Sequence, residues 1–150
     1  MEEAIRLSIE KMENGLGGPF GAVVVKDGKI IGRGFNMVTS SNDPTAHAEI
    51  VAIREACKNL GSFQLTGCAI YTSCEPCPMC LGAIYWARPE IVYFGNTKED
   101  AREIGFDDFF IYEELEKSPQ DRKIPMVSFM REKAQEAFQR WKEKEDKIPY

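Results

Sequence analysis

The sequence predicts a single α/β domain in three layers, helix on sheet on helix, around a central, mostly mixed sheet of about five strands. Three observations predict it. Apolar stripes at helical spacing alternate with short apolar runs of strand length. One strand–helix–strand passage, residues 68–94, has a connection long enough for a parallel crossover. The 150 residues suffice for one core burying about two-thirds of the unfolded chain's surface.

Taken in order, residues 2–14 set Ala4, Ile5, Ile9 and Met12 on one stripe, an amphipathic helix that Gly15, Gly17, Gly18 and Pro19 terminate. Residues 20–25 are an apolar strand, 26–29 a hairpin turn containing Asp27-Gly28, and 30–35 the returning strand. Gly32 and Gly34 either weaken that strand or admit a neighbouring backbone. Residues 36–42 form a polar loop, and Asp43-Pro44 begins a helix over 45–59 with His47 and Glu49 in its first turns. Ala46, Ile50, Ile53 and Ala56 or Cys57 supply its buried face, and Gly61 lies past its end.

Residues 68–72 are a short strand. Pro76 opens a helix with Cys77 and Cys80 in its first turn, and Pro89 stops it. Strand 91–94, a short helix over 98–105, a charged exposed segment 112–123 and a fifth strand over 124–129 follow. A last helix over 132–144 aligns Ala134, Ala137, Phe138 and Trp141. No repeat or low-complexity segment interrupts the chain.

An apolar fraction of 43% and a charged fraction of 29% are those of a folded domain. No apolar run reaches the ~18 residues of a membrane span, and the start carries no secretory pattern, so a cytoplasmic protein is expected. A net charge of −5 without a dense Lys/Arg cluster weighs against nucleic acid as a partner. Five cysteines, an odd number, argue against a disulfide framework. Cys57 and Cys68 read as small buried apolar residues. Cys74 either ends its strand or, through C-x-x-C-x-x-C, offers an alternative metal ligand.

The chemistry concentrates in His47-Ala48-Glu49 and Cys77-Pro78-Met79-Cys80. His47, Cys77 and Cys80 make three ligands for one zinc ion and leave its fourth position to water, the pattern of a catalytic site. Ligand softness favours zinc over iron. Cysteines at a helix start ionise readily, as ligation requires. Glu49 is placed to shuttle protons from an acidified water to a ring nitrogen and then to an exocyclic amine, which is hydrolytic deamination of an amidine-like carbon. A structural zinc clip and a redox C-x-x-C compete, but each leaves Glu49 idle. Asn36 offers a base edge a donor and an acceptor, or caps its turn. Phe20 and Trp86 stack on a ring or fill the core. Asp107 and Asp108, among aromatics, need a partner or solvent.

H-A-E at 47–49 with P-C-P-M-C at 76–80 matches the H-x-E … P-C-x-x-C signature of the cytidine deaminase superfamily. G-G-P-F-G-A-V at 17–23, T-S-S-N-D-P-T-A-H-A-E at 39–49, Y-T-S-C-E-P-C-P-M-C-L-G-A-I-Y-W-A-R-P at 71–89, G-F-D-D-F-F-I-Y at 105–112 and the terminal Tyr150 resemble the short bacterial guanine deaminases from end to end. The resemblance implies a cytidine-deaminase-like fold and hydrolysis of guanine to xanthine and ammonia, in purine catabolism, by a zinc-activated hydroxide. It implies zinc, one per subunit, on His47, Cys77 and Cys80, with Glu49 as the proton shuttle. Asn36 would bond the base, Phe20 and Trp86 enclose it, Asp108 add a carboxylate, and Tyr150 close the pocket. It further implies a single deaminase domain over 1–150 whose segment 112–150 is exchanged in a domain-swapped homodimer, with a free purine base as its small-molecule partner. The alternatives are a tRNA-adenosine deaminase, which needs an open site and a basic path, a deaminase of cytosine or an aminotriazine, and a zinc-stabilised interaction module in which Glu49 is dispensable.

Overall fold

Four strands, β1 (Gly21–Lys26), β2 (Lys29–Phe35), β3 (Cys68–Cys74) and β4 (Ile91–Asn96), form one mixed sheet in the order β2-β1-β3-β4. They belong to a computed structural model that describes Met1–Tyr150. β1 is antiparallel to β2 and β3, while β3 and β4 are parallel. The β1–β2 hairpin turns at Asp27 (φ 49°) and Gly28 (φ 73°). That pair of left-handed residues is what a two-residue turn matched to strand twist demands.

The helices lie on both faces. α1 (Glu2–Glu13) packs where Gly21 has no side chain, since a Cβ there would stand 2.2 Å from the Ala4 carbonyl oxygen. After the four-residue α2 (Val38–Ser41), α3 (Ala48–Leu60) lies against β2. A Cβ on Gly34 would meet the Ala48 carbonyl oxygen at 2.0 Å, and one on Gly32 the Ala52 carbonyl oxygen at 2.4 Å. Gly34 pairs with Ala22, the neighbour of Gly21, so alternation along β1 puts α3 on the face opposite α1. The β2 glycines are therefore there for close approach. α4 (Pro78–Ala87) joins β3 to β4 and adds Ile84 and Ala87 to the α3-side core of Ala22, Val24, Ile53 and Ile70. Cys68 is buried in that core and Cys57 packs against it, as small apolar residues should.

The expected fifth strand over 124–129 is absent, and the sheet has four. Pro125 cannot donate to a ladder, and Ile124, Val127 and Phe129 are exposed. Both expected helix starts move downstream. Asp43 Oδ1 accepts from Thr45 N at 2.8 Å and Thr45 Oγ1 at 2.7 Å, an Asx turn that holds residues 43–46 out of the helix until Ala48. The second proline of P-C-P, Pro78, and not Pro76, takes the first helical position. The helix expected over 98–105 is α5 (Lys98–Glu103), started by a reciprocal Thr97–Asp100 capping box. The loop expected over 36–42 contains α2.

The chain divides into two compact units, Met1–Phe109 and Phe110–Tyr150. The second holds most of α6 (Phe109–Glu116), a 3-10 turn at Pro119–Asp121 and α7 (Arg131–Glu143). Glu114 organises its start, accepting from Lys123 N at 2.6 Å while its backbone oxygen takes Arg122 Nε at 3.0 Å. No residue of this unit is buried. No helix is long and apolar enough to cross a membrane.

Candidate metal centre

His47 and Cys77 are each the residue just before a helix. Both have extended backbone, φ −70°, ψ 156° at the start of α3 and φ −63°, ψ 166° at the start of α4, and neither side chain caps its helix. They turn to each other instead, with His47 Nδ1 3.5 Å from Cys77 Sγ. Cys80, in the first turn of α4, is fully buried and completes a group whose ligand atoms lie within 4.8 Å of one another. For zinc at about 2.0 Å from nitrogen and 2.3 Å from sulfur, a tetrahedral N–S edge is about 3.5 Å. The observed edge fits that ion. Three donors leave a fourth position open.

Cys74 is not part of the group. Its thiol donates to the Thr97 carbonyl oxygen at 3.5 Å, and burial pushes its pKa up to about 11. It ends β3 and stays a thiol.

The ligands already share protons as ligation needs. A bond from the Cys80 thiol, with help from His47, holds Cys77 down at about 4 against its burial. The same bond and burial push Cys80 up. Cys77 therefore raises His47 above its ordinary value. An entering cation would displace the Cys80 proton, the usual coupling of metal and proton.

Glu49, the second residue of α3, is 6% exposed and also takes a bond from the Cys80 thiol. Burial raises its carboxyl above the ordinary range. One buried carboxylate thus stands beside the ligand group.

The substrate-side residues divide. Asn36 is 7% exposed, and its Oδ1 accepts from Gly18 N and Val38 N, each at 3.3 Å. That spends its acceptor on the turn and leaves the amide nitrogen as its donor, so it caps and can still bond. Asn36 N bonds the Phe20 carbonyl oxygen at 3.0 Å, and Met37 N bonds the Ala46 carbonyl oxygen at 2.9 Å, tying this wall to the segment before His47. Phe20 packs partly against the core. Asp107 and Asp108 take different roles. Asp107 pairs with Arg102 Nε at 3.5 Å and accepts from Phe109 N at 3.0 Å. Asp108 is half-buried, and burial first, then the charge of Cys77, raises its pKa above the ordinary carboxylate range. Trp86 on α4 is 64% exposed in the single chain. Tyr150 belongs to the second unit and is 72% exposed.

Two contributors escaped the sequence reading. A Cβ on Gly17 would lie 1.8 Å from the Asn36 carbonyl oxygen, so only glycine lets the chain pass there. Phe106 meets Phe20 edge to face, ring centres 4.9 Å apart at 89°. The Gly17-Gly18 doublet was the signal for both.

Residues 1–96 match the model of the cytidine and deoxycytidylate deaminase zinc-binding region. Over 150 residues the chain is 54% identical to a guanine deaminase of Bacillus subtilis (strain 168), covering 100% of this chain and 96% of that one. The X-ray structure of guanine deaminase from Bacillus subtilis superposes with a TM-score of 0.97 over 99% of this chain and 95% of that chain. A tRNA-specific adenosine deaminase of Buchnera aphidicola subsp. Schizaphis graminum (strain Sg) is 42% identical over 106 residues, 71% of this chain and 70% of the relative.

Proposed function

The chain belongs to the cytidine and deoxycytidylate deaminase zinc-binding family, and from that premise we propose that it hydrolyses guanine to xanthine and ammonia. The observation that carries this is likeness to a guanine deaminase over the whole length, the stretch beyond the shared zinc-binding region included. A tRNA substrate would need a basic path for its phosphates, and a chain of net charge −5 without a Lys/Arg cluster offers none in its sequence.

His47, Cys77 and Cys80 would hold one zinc per subunit. When bound in a three-ligand site, zinc acidifies a water in its open position to near-neutral pKa. Glu49 takes a proton there and gives it to the ring nitrogen beside C2. It then takes the remaining proton from the oxygen now bonded to C2 and relays it to the exocyclic amine, so that C2=O forms as the C2–N bond breaks and ammonia, rather than an amide anion, leaves. Its burial keeps bulk water from short-circuiting that relay. The Asn36 amide nitrogen donates to an acceptor on the base, and Asp108 accepts from an N–H. Phe20 and Trp86 cover the ring faces. An unmatched buried polar edge costs about 1–3 kcal/mol, which is how such a site rejects related bases.

The protein acts as a homodimer in which segment 112–150 crosses to the partner and Tyr150 closes a pocket. Phe138 and Trp141 on α7 are exposed in one chain, as are Ile91, Tyr93 and Phe94 on β4, and a second copy would cover each of these apolar patches. Free thiols as metal ligands suit a cytoplasmic setting.

The test is ammonia release by zinc-loaded protein, with guanine, adenine, cytosine, an aminotriazine and a tRNA anticodon stem-loop compared side by side. Guanine should turn over far ahead of the rest. Turnover of the stem-loop alone would overturn the assignment.

A further inference from the structure

Asn36 and Asp108 sit on segments far apart in sequence, yet a base can be read by both only if their separation is fixed. Asn36 is tied to the Gly17–Phe20 turn through its bonds to Gly18 N and the Phe20 carbonyl oxygen. Asp108 is hung from the end of α5, where Phe106 N bonds the Ala101 carbonyl oxygen at 3.0 Å and Arg102 holds Asp107. Phe106, two residues before Asp108, reaches the turn that holds Asn36. Phe106 sets its edge on Phe20, and a Cβ added to Gly18 would find Phe106 Cζ at 3.2 Å and Phe20 Cδ2 at 3.3 Å.

We infer that Phe106 is a positioning residue for specificity: packed edge-on against Phe20 and against Gly18, it locks the segment bearing Asp108 to the wall bearing Asn36. This rests on the proposed base-reading roles of those two residues. Phe106 is 46% exposed, so its packing supplies little of the fold's stability and its loss should be felt as geometry. A displacement near 1 Å at a reading group is enough to lower efficiency about 100-fold. Gly18 borders the device, because a Cβ there would press on both rings and make them give by a few tenths of an ångström.

The experiment compares wild type with Phe106→Ala, Phe106→Leu and Gly18→Ala in zinc-loaded protein. Phe106→Ala should raise KM for guanine about 10–100-fold with a much smaller change in kcat. It should narrow the preference for guanine over other amino-heterocycles, and metal content should stay unchanged. Phe106→Leu should recover part of the loss, and Gly18→Ala should shift KM in the same direction by a smaller factor. Amide hydrogen exchange supplies a readout independent of turnover: Phe106→Ala should speed exchange at residues 17–20 as well as 105–109. Faster exchange confined to 105–109, or an unchanged KM and selectivity, would overturn the inference. Failure of the wild type to deaminate guanine would instead overturn the assigned substrate, and the exchange result would still decide the role of Phe106.

Discussion

His47 Nδ1 and Cys77 Sγ, each on the residue before a helix, stand 3.5 Å apart across two elements thirty residues distant in sequence. That edge has the length an ion shared by the two would set. Cys77→Ala should therefore lose the metal, measured as the zinc-to-protein ratio after dialysis, and activity with it. A chelator should do the same to the wild type, and added zinc should restore only the wild type.

Glu49→Gln keeps the shape and the bond acceptor while removing the base. Zinc content should hold at one per chain, and kcat should fall by at least the 10²–10⁴-fold typical of a lost proton relay. A variant that kept wild-type turnover would remove Glu49 from the mechanism.

Gly34→Ala forces a Cβ to within 2.0 Å of the Ala48 carbonyl oxygen, backbone that cannot swing aside. Urea unfolding should show a loss of about 1–3 kcal/mol or more. KM should rise too, since Ala48 lies between His47 and Glu49.

Glu3 joins α1 to β2, accepting from Arg6 at 2.8 Å and from Arg33 at 3.1 Å. The Arg6 bond first, then Arg33, lowers its pKa from 4.5 to about 2. A lowered carboxylate stabilises the fold above its unfolded value and loses that contribution as pH falls through the folded one. Glu3→Gln should thus be less stable than wild type at pH 7, by under about 1 kcal/mol because the pair is solvent-accessible. In thermal melts the gap should shrink between pH 4.5 and 2.

Trp141→Glu puts a charge on the exposed apolar face of α7. Sedimentation should show a dimer for the wild type and a shift to monomer for the variant. An unshifted dimer would place the interface elsewhere.

The site was legible where chemistry constrains spacing. The three ligands and Glu49 fall within short motifs whose residue types have few other uses together, and they converge as those motifs imply. Helix starts were less legible because each has two candidate prolines or turn formers in tandem, and the Asp43 turn competes with the helix for the same residues. The strand expected over 124–129 failed for a related reason. Apolar residues at strand density say that a surface must be covered, and only pairing partners say whether a sheet covers it. The bond of Asn36 Oδ1 to Gly18 N and the contact of Phe106 with Phe20 join segments distant in sequence, which no local pattern carries.

The division of the chain at Phe109 also sets a schedule. At about 5–20 residues per second, the stretch after it takes a ribosome about 2–8 s to complete. His47, Glu49, Cys77, Cys80 and Asp108 have all been synthesised before that interval begins, whereas Tyr150 lies beyond it. The residues of the proposed ion site and the tyrosine proposed to close the pocket therefore arrive at separate times.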